Sequence, residues 1–281
     1  MMRSARSFAL TVPALALYAA ILAIPLVLMF ALSFRVDAQG EGWTVKHYVE
    51  VLGDSYFWSV YGRTLSMSLL VMVICVVLGI AQAYVIYRMD RRWQGLFLLI
   101  VLAPLLVAVV VRTLGWALLL GPAGPVVSVM TRFGWVEPNF TLLQSMTGVV
   151  IALVHVLVPF VVISVWTSLQ RLEADTLRAA ASLGAGQWTL LRRLVLPQVV
   201  PGALSGAVVV FSLAATAFAT PAIVGGRRFK VVATAAYEEF LSNMNWPLGS
   251  ALAVLLLVVN IAIVVGINKV VVKRYAQVFE S

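Results

Sequence analysis

Residues Arg171–Gly202 read RLEADTLRAAASLGAGQWTLLRRLVLPQVVPG, the one long segment between apolar runs patterned as packed helical structure rather than as a connector. Asp175 can cap a short helix that begins at Thr176, because its carboxylate accepts the backbone N–H groups left free in a first turn. Leu177, Ala180, Ala181 and Gly184 then fall at i, i+3, i+4 and i+7, a small apolar face. Gly184-Ala185-Gly186 supplies a turn in which positive φ costs little. A second amphipathic segment follows, with Trp188, Leu191 and Val195 on one side, and Pro197 and Pro201 are expected to end it. The product is helix, glycine turn, helix, with an alanine face suited to a groove on another protein.

A DNA-reading helix-turn-helix has the same outline and a basic end. The flanks decide against it. Charge-free runs at Asn139–Gln170 and Leu194–Gly226 bracket the stretch, each long enough to span a membrane. The chain is 62% hydrophobic and 11% charged, where soluble domains run near 25% charged, so it reads as an all-α polytopic membrane protein.

Six transmembrane helices are expected in a single domain over residues 1–281, at about 8–34, 64–87, 95–116, 147–168, 203–224 and 250–270. The first charge-free run, Ser7–Phe34, is roughly twice the length of a signal-peptide core and is read as a retained span. Residues 171–201 form the loop between the fourth and fifth spans. Gly202 and Gly206 make a small-xxx-small pair that lets two helix backbones approach.

An even number of spans puts both termini on one side. That side carries twelve Arg and Lys against four acidic residues, and the other eight against seven, so nearly all of the net +9 lies on one face. The positive-inside rule assigns that face to the cytoplasm. Loop 171–201 is therefore expected there, with both termini, in a cell inner (plasma) membrane. The basic balance reflects topology, and nucleic acid is not an expected partner; the lipid bilayer is.

No G-x4-G-K-[ST] phosphate loop occurs, so energy for any active process has to come from another chain. No catalytic residues are assigned, because two histidines and no acid within the spans give no catalytic set. The same lack of intramembrane carboxylates weighs against a proton-coupled carrier. With one cysteine and two histidines, no metal and no cofactor are expected.

Ala179-Ala180, Gly184, Leu194, Leu196 and Pro197 match the spacing E-A-A-x3-G-x9-I-x-L-P, and so the stretch resembles the EAA loop of permease subunits in ABC importers. The resemblance implies a type I importer permease fold in which this loop is a cytoplasmic coupling helix that docks on an ATPase. It assigns coupling to Arg178, Ala179, Ala180, Leu183, Gly184, Leu196 and Pro197. Arg178 stands where the family has Glu. A second set looks like the spermidine/putrescine-type permeases, the first permease subunit in particular: Ala103-Pro104, Val111–Trp116 (VRTLGW), Ala217–Gly226 (AFATPAIVGG) and Asn245–Ala251 (NWPLGSA). This implies a second homologous permease subunit, two ATPase subunits and a periplasmic substrate-binding protein as partners, with ATP hydrolysis on the separate ATPase. Permeases for opines, amino acids, phosphonates or ferric iron share much of this pattern. A self-sufficient channel or secondary carrier is the alternative from another class.

The candidate pathway residues are Arg112, Trp116, His155, Pro221 and Gly225. Arg112 either faces the pathway or caps carbonyls and snorkels to headgroups. His155 is either a substrate ligand or an interhelical hydrogen-bonding group. Pro221 with Gly225-Gly226 is expected to break the fifth span, and a break beside a pathway is a place for function.

Overall fold

The computed structural model describes residues 2–37, 42–137, 140–172, 180, 182 and 184–279. Its described regular structure is helical, and a helix satisfies the backbone groups of a charge-free run within the segment itself, as hydrocarbon demands. The chain is an all-α polytopic membrane protein. Five helical segments have the length and apolarity to cross a membrane: Ser55–Arg88, Val109–Arg132, Met146–Leu169, Trp188–Ala215 and Trp246–Lys269. A shorter apolar helix, Ala16–Leu32, precedes them.

Two compact units divide the chain, the first built from residues 1–59 and 235–258 and the second from 60–234 and 259–281. In the first, α1 (Met2–Leu32) ends at Ser33, whose hydroxyl donates to the Phe30 carbonyl and meets the Tyr48 hydroxyl at 2.6 Å. The Arg35 guanidinium lies 5.0 Å over the Trp43 ring, and the Arg35 carbonyl meets Nε2 of buried His47 at the start of α2 (Lys46–Gly53). Those contacts tie the end of α1 to the start of α2.

The second unit is organised around α7 (Met146–Leu169), whose Val149, Val161, Val162, Val165 and Leu169 are fully buried. On one side stands α3 (Ser55–Arg88), where a Cβ added at Gly79 would lie 2.7 Å from the Val161 Cβ. On the other, a Cβ at Gly206 would lie 2.9 Å from the Val161 Cα. Backbones approach this closely only where a side chain is missing, so the Gly202/Gly206 pair does what its spacing predicts.

Three expectations need correction. The span at 95–116 is not one helix: α4 (Arg91–Leu106) stops, Val107 and Ala108 are extended, and α5 (Val109–Leu120) restarts. Pro104 lacks the N–H that the Ile100 carbonyl would accept, which weakens the last turn of α4. After Gly121–Gly124, α6 (Pro125–Arg132) continues the span-length segment.

Second, Pro197 and Pro201 do not end the segment after the glycine turn. Short α8 (Gln187–Leu190) passes through a π-turn, Leu191–Val195, into α9 (Leu196–Ala215) without a stop. The wider π-turn lies where Pro197 would otherwise collide with the carbonyl four residues earlier. The span-length segment is thus Trp188–Ala215 rather than 203–224.

Third, the break near Pro221 precedes it. The helix ends at Thr216, and Pro221–Gly225 is a π-turn of its own before α10 (Val232–Leu241) and the long α11 (Trp246–Phe279).

Candidate translocation site

Most of α7 is buried, yet His155 in its middle is exposed. It opens on a cavity of about 560 Å³ between α3, α4 and α7, lined among others by Gln82, Met89, Phe97, Pro104 and Pro159. Gln82 and His155 are the polar side chains of an otherwise apolar lining, and among the described residues no carboxylate lines it. A cavity of this kind offers weak, exchangeable contacts instead of a fixed countercharge.

His155 is held by Trp116. The indole Nε1–H donates to Nδ1 of the imidazole at 3.2 Å, with the rings edge to face at 5.4 Å between centroids. Accepting at Nδ1 leaves Nε2 to carry the proton of the neutral ring. Arg112 lies one helical turn before Trp116 on the same face of α5. Its Nη1 donates to the Pro104 carbonyl at 2.5 Å and to the Val107 carbonyl at 3.4 Å, across the break between α4 and α5. With α4 ending at Leu106, the Pro104 carbonyl has no intrahelical donor, and the guanidinium occupies the place of that donor.

The structure therefore brings Arg112, Trp116 and His155 to one region. Pro221 and Gly225 are not among the residues that line the cavity. Their π-turn packs on α5 and α7, with the Gln144 N–H donating to the Val224 carbonyl at 2.7 Å and the Thr113 and Thr220 hydroxyls 3.4 Å apart in a buried pair. Gly226 closes the turn at φ +53°, and a Cβ there would come within 3.3 Å of the Gln144 side chain.

In the loop, Arg178, Ala179 and Leu183 lie outside the described residues. Gly184 has φ +83°, and the Ala185 N–H donates to the Ala180 carbonyl at 3.1 Å, the six-to-one bond of a Schellman ending. Leu196 helps line a second, apolar cavity, with Tyr84, Leu169 and Val199, while Pro197 is exposed.

Gln82 and Phe97 were not singled out by sequence pattern, and Pro104 entered only through a resemblance. A lone amide in an apolar run was the available signal for Gln82. Nothing in the local pattern says that residues 82, 97 and 155 share one wall.

The sequence profile of a family described as binding-protein-dependent transport system inner membrane component matches residues 76–277. A spermidine/putrescine transport system permease protein, PotB, of Haemophilus influenzae is 28% identical over 236 residues, covering 82% of each chain. The protein of the same name from Escherichia coli is 26% identical over 216 residues, 77% of this chain and 78% of the relative. A solved bacterial ABC transporter that imports the acidic polysaccharide alginate superposes with a TM-score of 0.81 at 17% identity, over 97% of this chain and 96% of that one. The last likeness is one of fold.

Proposed function

The chain belongs to the family of binding-protein-dependent transport system inner membrane components, and from that premise we propose that it is the permease through which a polyamine of the spermidine/putrescine type enters the cell. As a permease subunit of an ABC importer it provides the membrane passage rather than catalysis. The observation that carries the substrate assignment is the alignment to spermidine/putrescine permeases along four fifths of both chains.

In this reading the permease pairs with a second, homologous permease, and a periplasmic binding protein delivers the substrate to the outer mouth. Two ATPase subunits dock from the cytoplasm, on the face that bears the basic excess. The coupling surface comprises Arg178, Ala179, Ala180, Leu183, Gly184, Leu196 and Pro197, supported by the motif spacing and by the left-handed Gly184. Arg178 in place of the family's Glu calls for a neutral or acidic groove on the cognate ATPase. The passage runs by Gln82, Trp116 and His155, supported by the cavity and by the exposure of His155 on a buried helix.

Reconstitution tests this. Proteoliposomes holding both permeases and the ATPase are expected to hydrolyse ATP faster when given spermidine-loaded binding protein and to accumulate spermidine. Accumulation by this chain alone, without ATPase, overturns the importer reading. Stimulation by a binding protein loaded with sulfate or an amino acid, and not with spermidine, overturns the substrate.

A further inference from the structure

We infer that the carbonyl cradle at the broken end of α4 is a binding site for an organic cation, an alkylammonium or a guanidinium, and that Arg112 is its tethered occupant in this conformation. The inference deepens the polyamine reading and rests on it for the identity of the transported cation.

The carbonyls of a helix's last turn have no intrahelical partners and carry the negative end of the helix dipole. Ordinarily they face water or a neighbouring chain. At α4 the terminal turn includes Pro104, which lines the 560 Å³ cavity. A cation in that cavity meets no carboxylate among the described residues, so the Pro104 carbonyl is its strongest fixed partner. Interrupted membrane helices bind cations in this way, through half-helix C-terminal ends.

The guanidinium already shows that the cradle takes a cation, with the Pro104 oxygen at 2.5 Å and the Val107 oxygen at 3.4 Å. It is held by one nitrogen. Of the five donors on a guanidinium, those engaged among the described residues are on Nη1, and the side chain is only half-buried. A permanent structural cap would use the planar fork more fully. Arg112 also reaches the cradle from the far side of the extended pair Val107-Ala108, so a change at that hinge withdraws it without unfolding either helix. Once it withdraws, the carbonyl of Pro104, a residue of the cavity wall, is left without a donor, and a substrate ammonium replaces one cation with another at no net change of charge. The tethered arginine thus keeps the site closed to stray cations until the helices rearrange.

The test uses the assembled importer in nanodiscs, as parent, Arg112→Ala and Arg112→Lys, with ethylguanidinium chloride and spermidine as probes. Ethylguanidinium is expected to raise the Tm of Arg112→Ala saturably and to leave the parent and Arg112→Lys unchanged. Spermidine, without binding protein, is expected to bind Arg112→Ala about tenfold more tightly than the parent, a difference of about 1.4 kcal/mol, and to compete with ethylguanidinium. No saturable response of assembled Arg112→Ala to ethylguanidinium overturns the cradle as a cation site. Equal stabilisation of the parent overturns Arg112 as its occupant. Should Arg112→Ala fail to assemble, Arg112→Met, which keeps an apolar stem of similar packing but no donor to the Pro104 carbonyl, is read by the same criteria. The polyamine reading is scored separately, by whether spermidine-loaded binding protein stimulates the parent's ATPase, so an ethylguanidinium response without that stimulation leaves the cradle standing and removes the substrate.

Discussion

Trp116 donates its indole N–H to Nδ1 of His155 at 3.2 Å, joining α5 to α7 at a residue that lines the cavity. Interhelical hydrogen bonds in membranes are worth about 0.6 kcal/mol on average and up to roughly 1.7. His155→Ala is therefore expected to lower stability by about 1 kcal/mol in thermal unfolding of the purified complex. Transport should fall further than that loss explains if the cavity that His155 lines is the passage proposed above. A variant that keeps full spermidine uptake while losing stability assigns His155 a purely structural role.

Val161 is clasped between Gly79 of α3 and Gly206 of α9. Gly79→Ala puts a Cβ 2.7 Å from both the Cβ and the Cγ1 of Val161, a contact that forces one helix to shift. The expected cost is about 1–3 kcal/mol, the usual range for overpacking. Val161→Ala should rescue it only in part, since the Cβ it retains is itself in the clash. Complete rescue in a double-mutant cycle would show that α3 moves freely and would refute the clasp.

Gly184 tests the loop ending. At φ +83° a β-branched side chain meets the left-handed penalty of about 1–2 kcal/mol, whereas Asn tolerates the conformation. Gly184→Val should insert in the membrane but lose the ATPase on co-purification, and Gly184→Asn should retain it. Equal yields with both variants would mean that the glycine is not needed for its backbone geometry.

Topology offers a test that is independent of transport. A cysteine replacing Gln187 should react with an impermeant maleimide only from the cytoplasmic face, and one replacing Ser242 only from outside. Labelling at Ser242 from the cytoplasm reverses the orientation inferred from the charge asymmetry.

Membrane residence and helical class were legible in the sequence, because in hydrocarbon an apolar run has few ways to satisfy its backbone, and length and charge alone reveal it. The Gly202/Gly206 approach and the Gly184 turn were legible for a related reason: a missing side chain has a local consequence. Where the helices stop was decided by tertiary structure. Pro197 and Pro201 look like terminators one residue at a time, yet a π-turn upstream carries the helix through them. Residues 95–116 look continuous, yet the chain breaks at Val107-Ala108 where a guanidinium is at hand to take up a carbonyl left without a donor. The cavity was beyond sequence reasoning altogether, because Gln82, Pro104 and His155 come from three helices, and no local pattern records which of their faces meet.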